Sequence, residues 1–164
     1  MSSDRQLFAL SKRVGEALQE RGLKLVLAES CTGGWLAKCV TDVPGSSAWF
    51  DRGFVVYSNA AKMELLGVSD GTLSHFGAVS REVAFEMASG ALAHSHADIA
   101  VSTTGIAGPT GGTPEKPVGT VWIGWFWEEK GFSANRFHFE GDREAVRREA
   151  VAAALSGLLR LLEA

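Results

Sequence analysis

Apolar residues at Leu7, Leu10, Val14, Ala17 and Leu18 repeat with the period of a helix face. Ser3 and Gln6 stand ahead of them in capping-box relation and Gly22 follows, which predicts a helix over about residues 4–20. Lys24 to Ala28 is a short apolar run read as a buried strand, ambiguous by length alone. Gly33-Gly34 opens a second helix that ends before Pro44-Gly45. Phe50 to Ser58, rich in Phe, Val and Tyr, reads as the second strand. Asn59 can cap a short helix closed by Gly67, and Ser80 another running to about His94. Ile99 to Thr104 is the third strand, followed by a turn-rich segment from Gly105 to Gly119. Thr120 to Trp127 and Ala134 to Glu140 are the fourth and fifth strands, and Asp142 caps a last helix reaching Leu162.

Strands separated by helices favour parallel pairing through crossovers, whereas the short link between the last two strands favours a hairpin. The expected fold is therefore α/β: a three-layer α/β/α sandwich on a mixed, mostly parallel five-stranded sheet, its fourth strand antiparallel. The 164 residues show no repeat, low-complexity stretch or linker, so one domain over 1–164 is expected. A composition of 46% hydrophobic and 21% charged residues is that of an ordinary globular protein. The formal net charge of -3 argues against a general nucleic-acid coat, though not against a local basic pocket. No apolar run nears the roughly 20 residues that span a bilayer, and the first residues lack the apolar core of a secretory signal. Cys31 and Cys39 are too few and too close for a disulfide framework, so a cytoplasmic location is expected.

The stretch Ala28-Glu29-Ser30-Cys31-Thr32-Gly33-Gly34-Trp35 falls where a strand ends and a helix begins. Such a turn presents main-chain N–H groups and the positive end of a helix dipole, which suit an anion or the oxyanion of acyl transfer. A hydroxyl at Ser30 is then placed as a nucleophile. Equally, Ser30 or Thr32 could serve only as a cap. Cys31 is a rival nucleophile, or a small buried apolar residue. His75, His94, His96 and His138 lie in no convincing motif, and His94 and His96 point in different directions on a helix, so no metal site is expected.

A base is offered by Val56-Tyr57-Ser58-Asn59-Ala60-Ala61-Lys62. In the first turn of a helix, Lys62 meets a dipole that disfavours its charge, and partial burial lowers its pKa further; Ser-Lys pairs replace histidine triads elsewhere. Tyr57, the only tyrosine, could donate or relay a proton. The alternatives are a solvated Lys62 and a packed Tyr57 ring. The loop Thr104-Gly105-Ile106-Ala107-Gly108-Pro109 and onward follows the third strand, where open α/β sheets bind ligands, and its glycines let main chain approach a ligand. Arg143, Arg147 and Arg148 open the last helix, as phosphate ligands or as a solvated face. Trp122, Trp125 and Trp127 are expected to pack the core, one of them being free to stack on a substrate ring.

Ala28-Glu29-Ser30-Cys31-Thr32-Gly33-Gly34, Tyr57-Ser58-Asn59 with Lys62, Gly77-Ala78-Val79-Ser80, Gly105-Ile106-Ala107-Gly108-Pro109 through Lys116-Pro117-Val118-Gly119-Thr120-Val121, and Gly141-Asp142-Arg143 closely resemble the CinA C-terminal domain family, in order and over nearly the whole chain. The resemblance implies a stand-alone form without the extra N-terminal domain of larger members. It implies hydrolysis of the carboxamide of nicotinamide mononucleotide to nicotinate mononucleotide and ammonia, in pyridine nucleotide recycling, by a homodimer needing neither metal nor cofactor. Carried onto this chain, Ser30 is the nucleophile, Lys62 its base, acting directly or through Tyr57, and Tyr57 the accompanying hydroxyl. The main-chain N–H groups of Cys31, Thr32, Gly33 and Gly34 are expected to hold the oxyanion. Thr104, Gly105, Ala107 and Gly108, with Arg143 or Arg147, are expected to hold the ribose phosphate. Rival readings are a non-catalytic nucleotide-binding module, a partner protein of competence or DNA-damage machinery, and an amidase for a substrate lacking the phosphate.

Overall fold

In the computed structural model, which describes Met1 through Ala164, the chain opens with helix α1 (Asp4–Arg21). Its start is a reciprocal capping box between Ser3 and Gln6, and Gly22 ends it in the left-handed conformation. There follow β1 (Leu25–Glu29), α2 (Trp35–Thr41), β2 (Phe50–Val55), α3 (Asn59–Leu66), α4 (Asp70–Phe76), α5 (Arg81–Ala93), β3 (Ile99–Gly105), β4 (Thr120–Trp127), β5 (Gly131–His138) and α6 (Arg143–Glu163). The Asp142 carboxylate caps α6, accepting from the Ala145 N–H at 2.9 Å.

The structure departs from the sequence expectation in several places: β1 and the end of β3 shift by one residue and β5 ends at His138 rather than Glu140. β2 ends at Val55, not Ser58. The cap of α3 is Ser58 rather than Asn59; the serine hydroxyl, one position earlier, takes the Ala61 N–H at 3.0 Å. An unforeseen helix, α4, is capped by Ser69 and buries only Leu73, too little apolar surface to leave a periodic signal. β5 begins at Gly131, not Ala134, because the hairpin pairs Gly131 with Trp127 and imposes extended backbone on a glycine of weak strand preference.

The sheet order is β2-β1-β3-β4-β5. β1 pairs parallel with both β2 and β3, while β4 runs antiparallel to β3 and β5, so the fourth strand alone is reversed. Side chains alternating along the strands build a core on each face. Leu25, Leu27, Ile99, Val101 and Ile123 pack beneath α1, α2 and α6. Val26, Ala28 and Ala100 pack beneath α5, with Leu66 of α3. This is the three-layer sandwich. Trp125 and Trp127 are buried as expected, and the Trp125 indole N–H donates to the Ala154 carbonyl at 3.0 Å. At Gly90 a Cβ would lie 1.9 Å from the Leu66 carbonyl oxygen, so α5 seats α3 by backbone contact. The carboxyl ends of β1, β2 and β3 share one edge, from which the Ser30 turn, the Tyr57 segment and the second glycine loop all leave.

Candidate active site

The Ser30 turn is organised by a residue to which the sequence reading gave no role. Glu29 ends a fully buried strand and is itself 1% exposed. A buried carboxylate requires donors. Its Oε1 accepts from the Thr32 hydroxyl at 2.6 Å and from the N–H groups of Gly34 (3.2 Å) and Leu36 (2.9 Å), and its Oε2 from the Ala37 N–H at 2.9 Å. The Thr32 proton is thereby spent, so Thr103, 2.8 Å away, donates its own to Thr32. Gly33 and Gly34 have φ of 59° and 98°, the left-handed region that closes the turn.

Main-chain N–H groups of the turn divide into used and free. Gly33 donates to the Ser30 carbonyl, Trp35 to that of Thr32 and Lys38 to that of Gly34. With Gly34, Leu36 and Ala37 bound to Glu29, each N–H from Gly33 to Lys38 has an internal acceptor. Those of Cys31 and Thr32 have none. Of the four N–H groups expected to hold an oxyanion, those of Gly33 and Gly34 are therefore engaged within the protein and those of Cys31 and Thr32 are not.

Ser30 is 7% exposed and its N–H donates to the Thr103 carbonyl at 3.0 Å. Its hydroxyl has no partner in the protein, and since every buried side-chain nitrogen and oxygen has one, this hydroxyl reaches solvent. Cys31 differs: burial pushes its thiol up to about 12, so it stays protonated. That excludes it as a thiolate nucleophile at ordinary pH.

Lys62 is 2% exposed, among the largest buried side chains in the protein. It lies in the first turn of α3, and its Nζ donates to the Tyr57 main-chain carbonyl at 2.8 Å. Burial, with no carboxylate in contact, holds the amine below the ordinary lysine value. Val56, the residue before Tyr57, donates its N–H to the Glu29 carbonyl at 2.9 Å, which brings the Lys62–Tyr57 contact alongside the strand end that leads into the Ser30 turn. No hydrogen bond joins Lys62 to Ser30 or to the Tyr57 hydroxyl. Instead the Tyr57 ring is 63% exposed and its hydroxyl accepts from Arg143 at 3.1 Å.

The two candidate arginines take different positions. Arg147 is committed to the turn, donating to the carbonyls of Cys31 at 3.1 Å and Thr32 at 3.2 Å. Arg143 is exposed and links the Tyr57 hydroxyl to the Gly108 carbonyl, the latter at 2.7 Å. In the second loop, the Thr104 hydroxyl is spent on the Ala78 carbonyl at 2.7 Å and Ala107 is buried. At Gly105 a Cβ would meet Val121 at 2.6 Å, a packing reason for glycine. Gly108 has a φ of 83°. No group of three His, Cys, Asp or Glu side chains is placed to hold a metal ion. A polar groove of about 520 Å³ between α1 and the end of α6 contains none of these residues.

Residues 7–162 match the CinA C-terminal domain family. The chain belongs to that family. Its relatives include proteins named nicotinamide-nucleotide amidohydrolase PncC. The one from Enterobacter agglomerans is 55% identical over 158 residues, covering 96% of each chain. The one from Escherichia coli K12 is 55% identical over 156 residues, covering 95% of this chain and 94% of its own. The crystal structure of the competence/damage inducible protein CihA from Agrobacterium tumefaciens superposes with a TM-score of 0.93 at 42% identity, covering 98% of this chain and 97% of that one.

Proposed function

We propose that this CinA-family chain hydrolyses the carboxamide of nicotinamide mononucleotide to nicotinate mononucleotide and ammonia. The observation that carries the reading is an unpartnered, solvent-reaching Ser30 hydroxyl on a turn with two free N–H donors, beside a buried lysine held below its ordinary pKa. Near-full-length identity to amidohydrolases of nicotinamide nucleotide supports the choice of substrate.

In this mechanism the neutral Lys62 amine takes the Ser30 proton as the oxygen attacks the carboxamide carbon. The carbonyl oxygen becomes an oxyanion held by the N–H groups of Cys31 and Thr32. Lys62 then returns the proton to the leaving nitrogen, ammonia departs, and water cleaves the Ser30 ester by the same base. The Lys62 bond to the Tyr57 carbonyl orients the amine. The Tyr57 hydroxyl, already accepting from Arg143, keeps its proton for the substrate rather than for a relay. Arg143 has two of its five donors engaged and offers the rest, with the Gly105–Gly108 main chain, to the ribose phosphate. The enzyme is proposed to act as a cytoplasmic homodimer. No helix is long and apolar enough to cross a membrane.

An ammonia assay on nicotinamide mononucleotide, its riboside and free nicotinamide tests the reading. Release from the mononucleotide alone, lost in Ser30→Ala, is the expected result. Undiminished release from Ser30→Ala overturns the serine mechanism, and binding without release favours a nucleotide-binding module.

A further inference from the structure

The Ser30 turn is gripped from two directions by opposite charges. Glu29 takes N–H groups from within the fold, and Arg147 takes the carbonyls of Cys31 and Thr32 from α6. We propose that Glu29 and Arg147 are positioning residues for amide hydrolysis, an inference resting on the reading above: Glu29 engages the N–H groups of Gly34, Leu36 and Ala37 and so leaves those of Cys31 and Thr32 as the turn's free donors, and Arg147, through the Cys31 carbonyl, fixes where the Thr32 N–H points.

Each side has a separate physical reason. A trans peptide sets its C=O and N–H on opposite sides. Holding the Cys31 carbonyl on Arg147 therefore aims the Thr32 N–H away from α6. Glu29 acts at the start of α2, where free N–H groups and the dipole would otherwise attract any nearby anion. Its carboxylate fills that place, so a developing oxyanion meets the Cys31 and Thr32 N–H groups instead. The Thr32 hydroxyl bond to Glu29, backed by Thr103 of β3, ties the turn to the sheet and holds the donors rigid.

Glu29→Gln keeps the oxygen that serves Thr32, Gly34 and Leu36 but turns an NH₂ toward the Ala37 N–H. Arg147→Lys keeps the charge but loses the planar fork that reaches two carbonyls. Each is expected to lower kcat for ammonia release by about 10²-fold with KM changed less than about twofold, the pattern of a donor acting in the transition state. Titrating active Ser30 with a phosphonofluoridate normalises kcat to folded sites, so partial misfolding does not imitate the effect. Unchanged normalised kcat in both variants overturns the proposal while leaving the serine mechanism standing.

A second measurement uses the unaltered protein, and decides the matter should a variant not fold. In the Ser30 phosphonyl adduct, amide proton resonances of Cys31 and Thr32 are expected to move downfield, with those of Gly34, Leu36 and Ala37 unmoved. Shifts confined to the last three overturn the proposal. Failure of the probe to modify Ser30 is the distinct result that overturns the nucleophile itself, and the positioning role with it.

Discussion

Lys62 reaches back over the first turn of its own helix to donate to the main-chain carbonyl of Tyr57 at 2.8 Å. Tyr57 lies just before α3, and the bond follows the lean of helical side chains toward the N-terminus. It gives a buried amine one acceptor and no counter-ion. A neutral amine is satisfied by such a partner more cheaply than a charged one.

The pH dependence follows from this burial. Protonated Lys62 cannot accept the Ser30 proton, so kcat is expected to rise with pH through a pKa below that of ordinary lysine and then level. Between that depressed value and the ordinary one, the unfolded chain holds a proton that the folded chain has lost. Stability from this group therefore increases with pH across the same window and is lost as pH falls through it. Lys62→Met is expected to abolish ammonia release yet raise Tm at neutral pH by a few degrees, on the order of 1 kcal/mol. A lower Tm would show that the amine stabilises the fold.

Arg143 is expected to govern recognition of the phosphate. Arg143→Ala should raise KM for the mononucleotide about 10- to 100-fold, the worth of one charge-assisted contact. Steady-state kinetics on the mononucleotide check this, and an unchanged KM would remove Arg143 from phosphate binding.

Cys31 is expected to be inert. With its thiol pushed up to about 12 by burial, it should resist iodoacetamide at pH 8 in the native protein and react readily once unfolded. Cys31→Ala should keep most of the ammonia-releasing activity, because the N–H and not the thiol is used. Mass spectrometry after timed alkylation supplies the measurement.

Gly90 and Gly71 form a contrasting pair. A Cβ at Gly90 drives into the Leu66 carbonyl, whereas one at Gly71 meets nothing within 4 Å. Gly90→Ala is expected to cost about 1–3 kcal/mol and to reduce kcat by displacing the helix that carries Lys62. Gly71→Ala, inside α4, should stabilise by about 0.4–1 kcal/mol through the unfolded chain, with activity unchanged. Thermal melts of both variants settle the comparison.

Much of the fold was legible because caps and apolar spacing act over a few residues. The Ser3–Gln6 box, the Gly22 stop and the Asp142 cap were read directly, and β4 was bounded to the residue. Elements that depend on partners distant in the chain are not bounded by their own residues. β5 takes its start from its partner strand, and α4 buries a single leucine. In the candidate site, Ser30 and Lys62 stood out by residue type and place. Glu29 left a readable trace, an acid closing an all-buried strand before a glycine turn, but its four donors were not inferred.

By itself, then, the sequence determined the order of helices and strands and the turn on which the reactive hydroxyl sits, because local backbone preference and side-chain periodicity are short-range. Only the tertiary structure decided which N–H groups stay free, that Arg147 serves the turn's carbonyls, and that the Tyr57 hydroxyl faces Arg143. Those outcomes depend on groups as far apart as Arg147 and Cys31, 116 residues along the chain. Hydrogen bonds between such groups exist only after the sheet and α6 have packed.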